Sequence, residues 1–205
     1  MIDVEPDPDR ISCLPDHVID QILTYVPIRE AARTTSKDLL VIARKFLKFA
    51  DHVLLLHYGP INMFKFSECA LIDESLVSDV DQWILHLTRS SIKELVLEVW
   101  IEGYSKIPWC LFSCQSLHHL KLHWCCLKPP TTFESFKSLK SLDLNLVTVA
   151  QNDFENLISG CPLLEKFKFT EVDGFTQVNI RAPNLKFLKI NGEYEDINFE
   201  NTFQL

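Results

Sequence analysis

The sequence predicts an α/β protein: a solenoid of short stacked repeats with a parallel sheet on its concave side, preceded by a small helical module. Three observations predict it. First, one apolar frame recurs. Taking Leu117 as position n, apolar residues fall at n, n+3, n+5 and n+8: Leu117, Leu120, Leu122 and Cys125. The same frame fits Ile61, Phe64, Phe66 and Cys69; Ile92, Leu95, Leu97 and Trp100; Leu139, Leu142, Leu144 and Val147; and Leu164, Phe167, Phe169 and Val172. A sixth copy has Leu185, Leu188 and Ile190, with Glu193 where the fourth apolar residue should stand. Second, the first positions are 31, 25, 22, 25 and 21 residues apart, which is the spacing of a repeat protein. Third, the segments between the frames carry either an amphipathic helical pattern or proline interruptions.

A period of 20–29 residues carrying L-x-x-L-x-L-x-x-N/C is the leucine-rich-repeat signature. Positions n+3 and n+5 are two apart, so both point to one face of a short strand. About four apolar side chains per copy stabilise by roughly 6–12 kcal/mol when buried. Ordering some 22 residues costs more, at ~1–2 kcal/mol per residue. One copy cannot fold alone; stacked copies bury one another's apolar faces.

The 205 residues suffice for one long or two short domains, and 47% of them are hydrophobic. The net charge of −8 argues against a dedicated binder of nucleic acid or of an anionic membrane, both of which reward basic patches. Residues 1–10 lack the basic and apolar regions of a signal peptide, and no apolar run approaches the ~20 residues of a membrane span. A cytoplasmic or nuclear location is expected. Seven cysteines, an odd number without an export signal, argue against a disulfide framework. Cys114, Cys125 and Cys161 occupy repeat positions where a small buried hydrophobe fits.

Residues 1–9 are acidic and contain Pro6 and Pro8, and read as a disordered lead-in. Residues 10–27 carry a well-marked helix. Pro15 stands in its first turn, and Asp16 favours the positive end of the helix dipole. Ile19, Ile22, Leu23 and Val26 form one stripe at i, i+3, i+4 and i+7, and Pro27 ends it.

The run L-P-x-x-V-I-x-x-I-L-x-x-V-P-I-R-E-A-A-R-T, from Leu14 to Thr34, resembles the start of an F-box. The segments D-H-V-L-L-L-H-Y-G-P-I, W-I-L-H-L, I-K-E-L-V-L-E, L-F-S-C-Q-S-L and L-I-S-G-C-P-L-L-E extend the resemblance over almost the whole chain. Together they resemble the plant F-box/FBD/LRR-repeat proteins, whose F-box precedes leucine-rich repeats and often a C-terminal FBD domain. The resemblance implies a non-catalytic subunit of a Skp–cullin–F-box (SCF) ubiquitin ligase. The F-box binds a Skp-family adaptor, and through it a cullin, while the repeats select a protein substrate. Leu14, Pro15, Ile19, Ile22, Leu23, Val26 and Pro27 match the motif, and the resemblance gives them the adaptor contact.

The chain departs from the family pattern after Thr34. Members continue with a segment ending in Trp-Arg that completes the F-box, whereas here no tryptophan occurs before Trp83. The third F-box helix is therefore expected to be missing, along with the family's later repeats and FBD domain. An interaction protein that binds through its repeats but recruits no ligase, a decoy or a truncated isoform, is the alternative. The expected organisation is a lead-in (1–9), an incomplete F-box-like helical module (10–50) and a leucine-rich-repeat domain (51–205).

Residues 36–50 read as a helix capped by Ser36, and the apolar run 53–56 as a strand capping the sheet. Within the repeats, 78–89 is the strongest helix, with Val80, Trp83, Ile84 and Leu87 on one face and Asp79 and Asp81 at its start. Residues 152–160 form a second, with Phe154, Leu157 and Ile158 inward, Asn152 and Glu155 as a capping pair and Gly160 as C-cap. Between Trp100 and Leu117, and around Pro129 and Pro130, prolines leave only loop or short 3₁₀ turns.

His118, His119, His123, Cys125 and Cys126 invite a metal reading. On a strand, however, His119 and His123 lie about 13 Å apart at ~3.3 Å per residue, too far to share an ion whose ligands sit at ~2.0–2.3 Å. No cofactor is expected, and no activated thiol or glycine-rich phosphate loop marks an enzyme. The solvent side of the sheet is more informative. Its n+4 row is Lys65, Val96, Lys121, Asp143, Lys168 and Lys189, and His119 and His123 lie in the rows beside it. These lysines and histidines read either as a solvated face or as a docking surface for an acidic protein segment.

Overall fold

The computed structural model describes residues 48, 51, 54, 57, 60–72, 77–101 and 106–200. The lead-in, the adaptor-contact residues and most of the 36–50 helix lie outside the described residues. The elements follow in the order β1 (Met63–Ile72), α1 (Val77–Arg89), β2 (Glu94–Ile101), a 3₁₀ turn (Trp109–Ser113), β3 (His119–Leu127), β4 (Ser141–Val149), α2 (Gln151–Ser159), β5 (Lys166–Thr170), β6 (Gln177–Arg181), β7 (Phe187–Asn191) and β8 (Asp196–Glu200). Six strands form one parallel sheet in the order β1-β2-β3-β4-β5-β7, and β6 and β8 pair in a second parallel sheet.

The register of the large sheet is the repeat frame itself. Phe64, Leu95, Leu120, Leu142, Phe167 and Leu188, all at n+3, stand opposite one another across successive strands. Phe66, Leu97, Leu122, Leu144, Phe169 and Ile190, all at n+5, form the next row inward. The first-position residues Ile61, Ile92, Leu117, Leu139, Leu164 and Leu185 are all buried. A shared hydrogen bond fixes each step of the stack. The n+1 carbonyls of Asn62, Lys93, His118, Lys140 and Glu165 each accept two N–H groups of the next copy, at 2.7–3.1 Å. Since a one-residue slip would turn every leucine to solvent, side chains and backbone specify the same register.

Late in the strand, Trp124 of β3 and Leu146 of β4, and just past β5 Glu171, all at n+7, take left-handed backbone with φ of 57°, 52° and 48°. The turn sends the n+8 residues Cys125, Val147 and Val172 into the core, while Glu193 stays exposed.

The far side of the core changes from copy to copy. Trp83 of α1 packs edge-on against Phe64 and Phe66, at centroid distances of 6.1 and 5.3 Å. In the next copy the 3₁₀ turn buries Leu111 and Phe112, and Phe112 meets Phe133 and Phe136. Phe154 of α2 lies against Phe167, Phe169 and Phe175. Beyond α2, strand β6 replaces a helix and buries Val178 and Ile180.

Three expectations change. The run 53–56 is not a strand where it is described: Leu54 is helical and buried, following helical Lys48 and Asp51. A four-residue apolar run carries no period, so strand and helix end look alike. Trp83 Nε1 donates to Asp51 Oδ1 at 3.4 Å, tying that helical residue to α1. Helix α2 starts at Gln151 with Ala150 as N-cap and no side-chain cap bond, so Asn152 and Glu155 are not a capping pair. Instead the Glu155 carboxylate accepts from the Gln151 amide, and from Asn179 Nδ2 at 2.6 Å. The second sheet, β6 with β8, was not expected at all.

Candidate interaction surface

One face of the large sheet packs on the core and the other meets solvent. The rows at n+2, n+4 and n+6 alternate with the buried rows, so the strand pleat presents them outward. Lys65, Lys121, Lys168, Lys189, His119 and His123 all belong to these rows. The structure brings the lysines into one n+4 row, with Val96 and Asp143 between them in register.

The row is less basic than its lysine count. The Lys121 ammonium bonds to the Glu98 carboxylate of the neighbouring strand, and this bond, opposed by partial burial, raises the Lys121 pKa. Lys168 Nζ lies 3.9 Å from Asp143 Oδ2 and 5.8 Å from the centre of the Phe187 ring. Charge therefore alternates across β2 to β5, as Glu98, Lys121, Asp143 and Lys168. Exposed pairs of this kind contribute about 0–1 kcal/mol each, so they order side chains more than they stabilise the fold. Lys65 and Lys189 make no ion pair among the described residues. Beside Lys168 and Lys189 stand exposed Lys166 and Phe187, which concentrates positive charge and an open aromatic ring at the β5–β7 end.

His119 is half-buried in the middle of this face. Burial lowers its pKa, Glu94 and Asp143 pull it up, and Lys121 and Lys168 push it further down. Its imidazole is thus held neutral at neutral pH, able to donate or accept one hydrogen bond. His118 Nδ1 lies 2.7 Å from the Ser116 carbonyl and is occupied in the preceding turn.

Among the described residues no three His, Cys, Asp or Glu side chains are arranged to hold a metal ion. The thiols of Cys110, Cys114, Cys125 and Cys161 are buried. Burial pushes the Cys161 thiol up to about 12 and the Cys125 thiol higher still. The Cys125 and Cys161 thiols are inert protonated core atoms. Among the described residues no helix is long and apolar enough to cross a membrane. What the face can do chemically is bind: it offers fixed charges, a neutral histidine and open aromatic surface on a rigid sheet.

The repeat frame read from the sequence gives the n+7 row no role. Its presented side chains, Trp124 and Leu146, are among the exposed large hydrophobics. The signal that could have marked them is apolar residues just before an already assigned inward position.

Comparison with known proteins agrees with this architecture. Residues 80–205 match the family model described as "FBD-associated F-box protein At5g56370, LRR repeats". The chain is 40% identical over 227 residues to the F-box/FBD/LRR-repeat protein At1g13570 of Arabidopsis thaliana, covering 97% of this chain and 52% of that protein. It is 33% identical over 183 residues to the putative F-box/FBD/LRR-repeat protein At2g05300 of the same plant, covering 80% and 41%. It is 30% identical over 222 residues to the Arabidopsis F-box/LRR-repeat protein At3g26922, covering 91% and 69%. The chain spans about half the length of the first two relatives. No solved structure matches it significantly. With its repeats matched over more than half its length, and its strands stacked in the register those repeats require, the chain belongs to the plant F-box/FBD/LRR-repeat family.

Proposed function

We propose that the chain is a substrate-recognition subunit of an SCF-type ubiquitin ligase. In this reading residues 10–50 are an F-box-like module. Leu14, Pro15, Ile19, Ile22, Leu23, Val26 and Pro27 contact a Skp-family adaptor, which docks on a cullin. Residues 51–205 form an open leucine-rich-repeat solenoid whose solvent-facing sheet holds a protein substrate. The chain catalyses nothing itself; it acts in the cytoplasm or nucleus by keeping the substrate beside the charged ubiquitin carrier.

The observation that carries this reading is the 40% identity, over 97% of the chain, to a protein named for an F-box, an FBD and leucine-rich repeats. The alternating charges at Glu98, Lys121, Asp143 and Lys168 support the substrate role, because a fixed pattern of charges discriminates between partners. The test is co-expression with a Skp-family adaptor followed by affinity capture. The adaptor is expected to co-purify and to be lost in Ile19→Asp, with the repeat domain's circular dichroism unchanged. Capture that survives Ile19→Asp would overturn the assignment of this helix.

A second reading, an interaction module that recruits no ligase, has its own support. The aligned span with the 40% identical relative is 227 residues, longer than this 205-residue chain. That relative therefore carries internal sequence with no counterpart here, in keeping with a segment skipped after Thr34. A folded chain that captures no adaptor is the result this reading expects.

A further inference from the structure

The edge of the sheet at the carboxyl ends of the strands is a surface separate from its open face. Trp124, Leu146 and Glu171 stand at equivalent positions of three consecutive copies, share the left-handed turn and line one cleft together. Trp124 and Leu146 are 37% and 38% exposed. Next to them lies a cleft of about 940 Å³, lined among others by Leu146, Glu155, Glu171, Asp173, Phe175 and Glu193. It adjoins a second cleft of about 320 Å³ that shares Leu146, Glu171 and Asp173 and reaches Trp124. The larger is in the size range of ligand sites, ~300–1,000 Å³.

Charge says what would fill it. No Lys, Arg or His occurs among the described residues lining either cleft. Glu171, Asp173 and Glu193 are exposed and form no ion pair among the described residues. Glu155 is held in orientation by Gln151 and Asn179. Carboxylates beside an exposed indole and an exposed leucine match one side-chain type in particular. Lys and Arg lay an aliphatic stem along apolar surface, place their charge at a carboxylate, and are attracted to an indole face. Phosphate-rich or acidic partners would be repelled. We propose that this edge docks a basic, Lys/Arg-rich segment of a partner protein. The proposal concerns a different surface from the open face and does not depend on adaptor recruitment.

The test uses the full chain and a fluorescein-labelled dodecapeptide of alternating arginine and leucine, followed by fluorescence anisotropy. The control probe alternates glutamate and leucine. The arginine peptide is expected to bind, more weakly as salt rises, and the glutamate peptide not to bind. Glu171→Lys with Asp173→Lys should weaken binding at least tenfold, and Trp124→Ala at least threefold. Lys168→Glu on the open face should not weaken it, and Glu134→Lys, a charge reversal outside both clefts, should change it less than twofold. If the double reversal fails to fold by circular dichroism, Glu171→Gln with Asp173→Asn replaces it, with at least a threefold loss expected. Equal binding of the two peptides, affinity that survives change at the edge, or equal losses in the Glu134→Lys and single Glu171→Lys variants would each overturn the proposal. Adaptor capture is read separately, so a negative result here leaves the ligase assignment untouched.

Discussion

Trp124, Leu146 and Glu171 hold a backbone shape that none of their side chains favours. A left-handed φ costs a residue with a Cβ about 1–2 kcal/mol, and the burial of the following residue, Cys125, Val147 or Val172, holds it in place. At exposed Glu171 this strain can be relieved without touching the core. Glu171→Gly is expected to raise the free energy of unfolding by up to about 1 kcal/mol, after glycine's own entropic cost of ~0.5–1 kcal/mol; urea titration reads it. The buried thiols give a second residue-scale prediction. Burial raises the Cys161 pKa from an ordinary 9.0 to about 12. A raised folded-state value means its contribution is complete below pH 9 and is lost as pH climbs from about 9 towards 12. Stability should therefore fall in that window, and the fall should be shallower in Cys161→Ala by about 1.4 kcal/mol per pH unit. The two cases differ in legibility. Cys125 was readable as core because it stands at n+8 of the apolar frame, and Cys114 and Cys161 because both stand three residues before a first position. The left-handed turn was not, because tryptophan, leucine and glutamate carry none of the usual marks of such a turn; only Gly192, the equivalent residue of the last copy, does.

At the scale of elements, the length of each copy limits what crosses behind the sheet. The 31-residue interval holds the 13-residue α1, and a 25-residue interval holds the nine-residue α2. The 21-residue interval cannot return through a helix of useful length, since a helix rises ~1.5 Å per residue against ~3.3 Å for a strand. The chain crosses there as β6, in five residues. Helix α1 was readable because Val80, Trp83, Ile84 and Leu87 form an uninterrupted stripe. The start of α2 was misread because Asn152 and Glu155 satisfy the capping-box pattern, while Glu155 is drawn to Asn179 on a strand the sequence reading did not contain. That strand's signal, Val178 and Ile180 alternating with polar residues, is only one alternation long. Uncapped Ala150 leaves room for improvement: its backbone is already extended, with φ −69° and ψ 150°. Ala150→Ser should therefore stabilise by about 0.5–2 kcal/mol through a bond to the free N–H groups of the first turn, visible as a shifted urea midpoint with an unchanged slope.

For the whole molecule, the frame read from sequence set the pairing of all six strands of the large sheet. A strict spacing can satisfy leucine burial and the shared n+1 carbonyls in one register only. The helices expected in residues 10–50, outside the described residues, follow from periodicity, but their F-box role rests on resemblance, because a single amphipathic helix does not say what it packs against. The stack also predicts where the molecule is vulnerable. Strands contact their neighbours in the order β1-β2-β3-β4-β5-β7, so cooperativity depends on the links between adjacent copies. Leu144 lies in β4, fully buried with copies on both sides, whereas Leu188 lies in the edge strand β7 and is only half-buried. Leu144→Ala should cost about 2–5 kcal/mol, the range for a leucine truncated in a packed core. Leu188→Ala should cost less, because the edge can relax and its side chain gives up less buried surface. Urea unfolding followed by circular dichroism and tryptophan fluorescence distinguishes the outcomes. If the copies fold as one unit, both probes will move together to a lower midpoint in Leu144→Ala. If they separate, with Trp83 and Trp109 reporting the first half of the stack later or earlier than the backbone signal, the link at β4 is weaker than its packing implies.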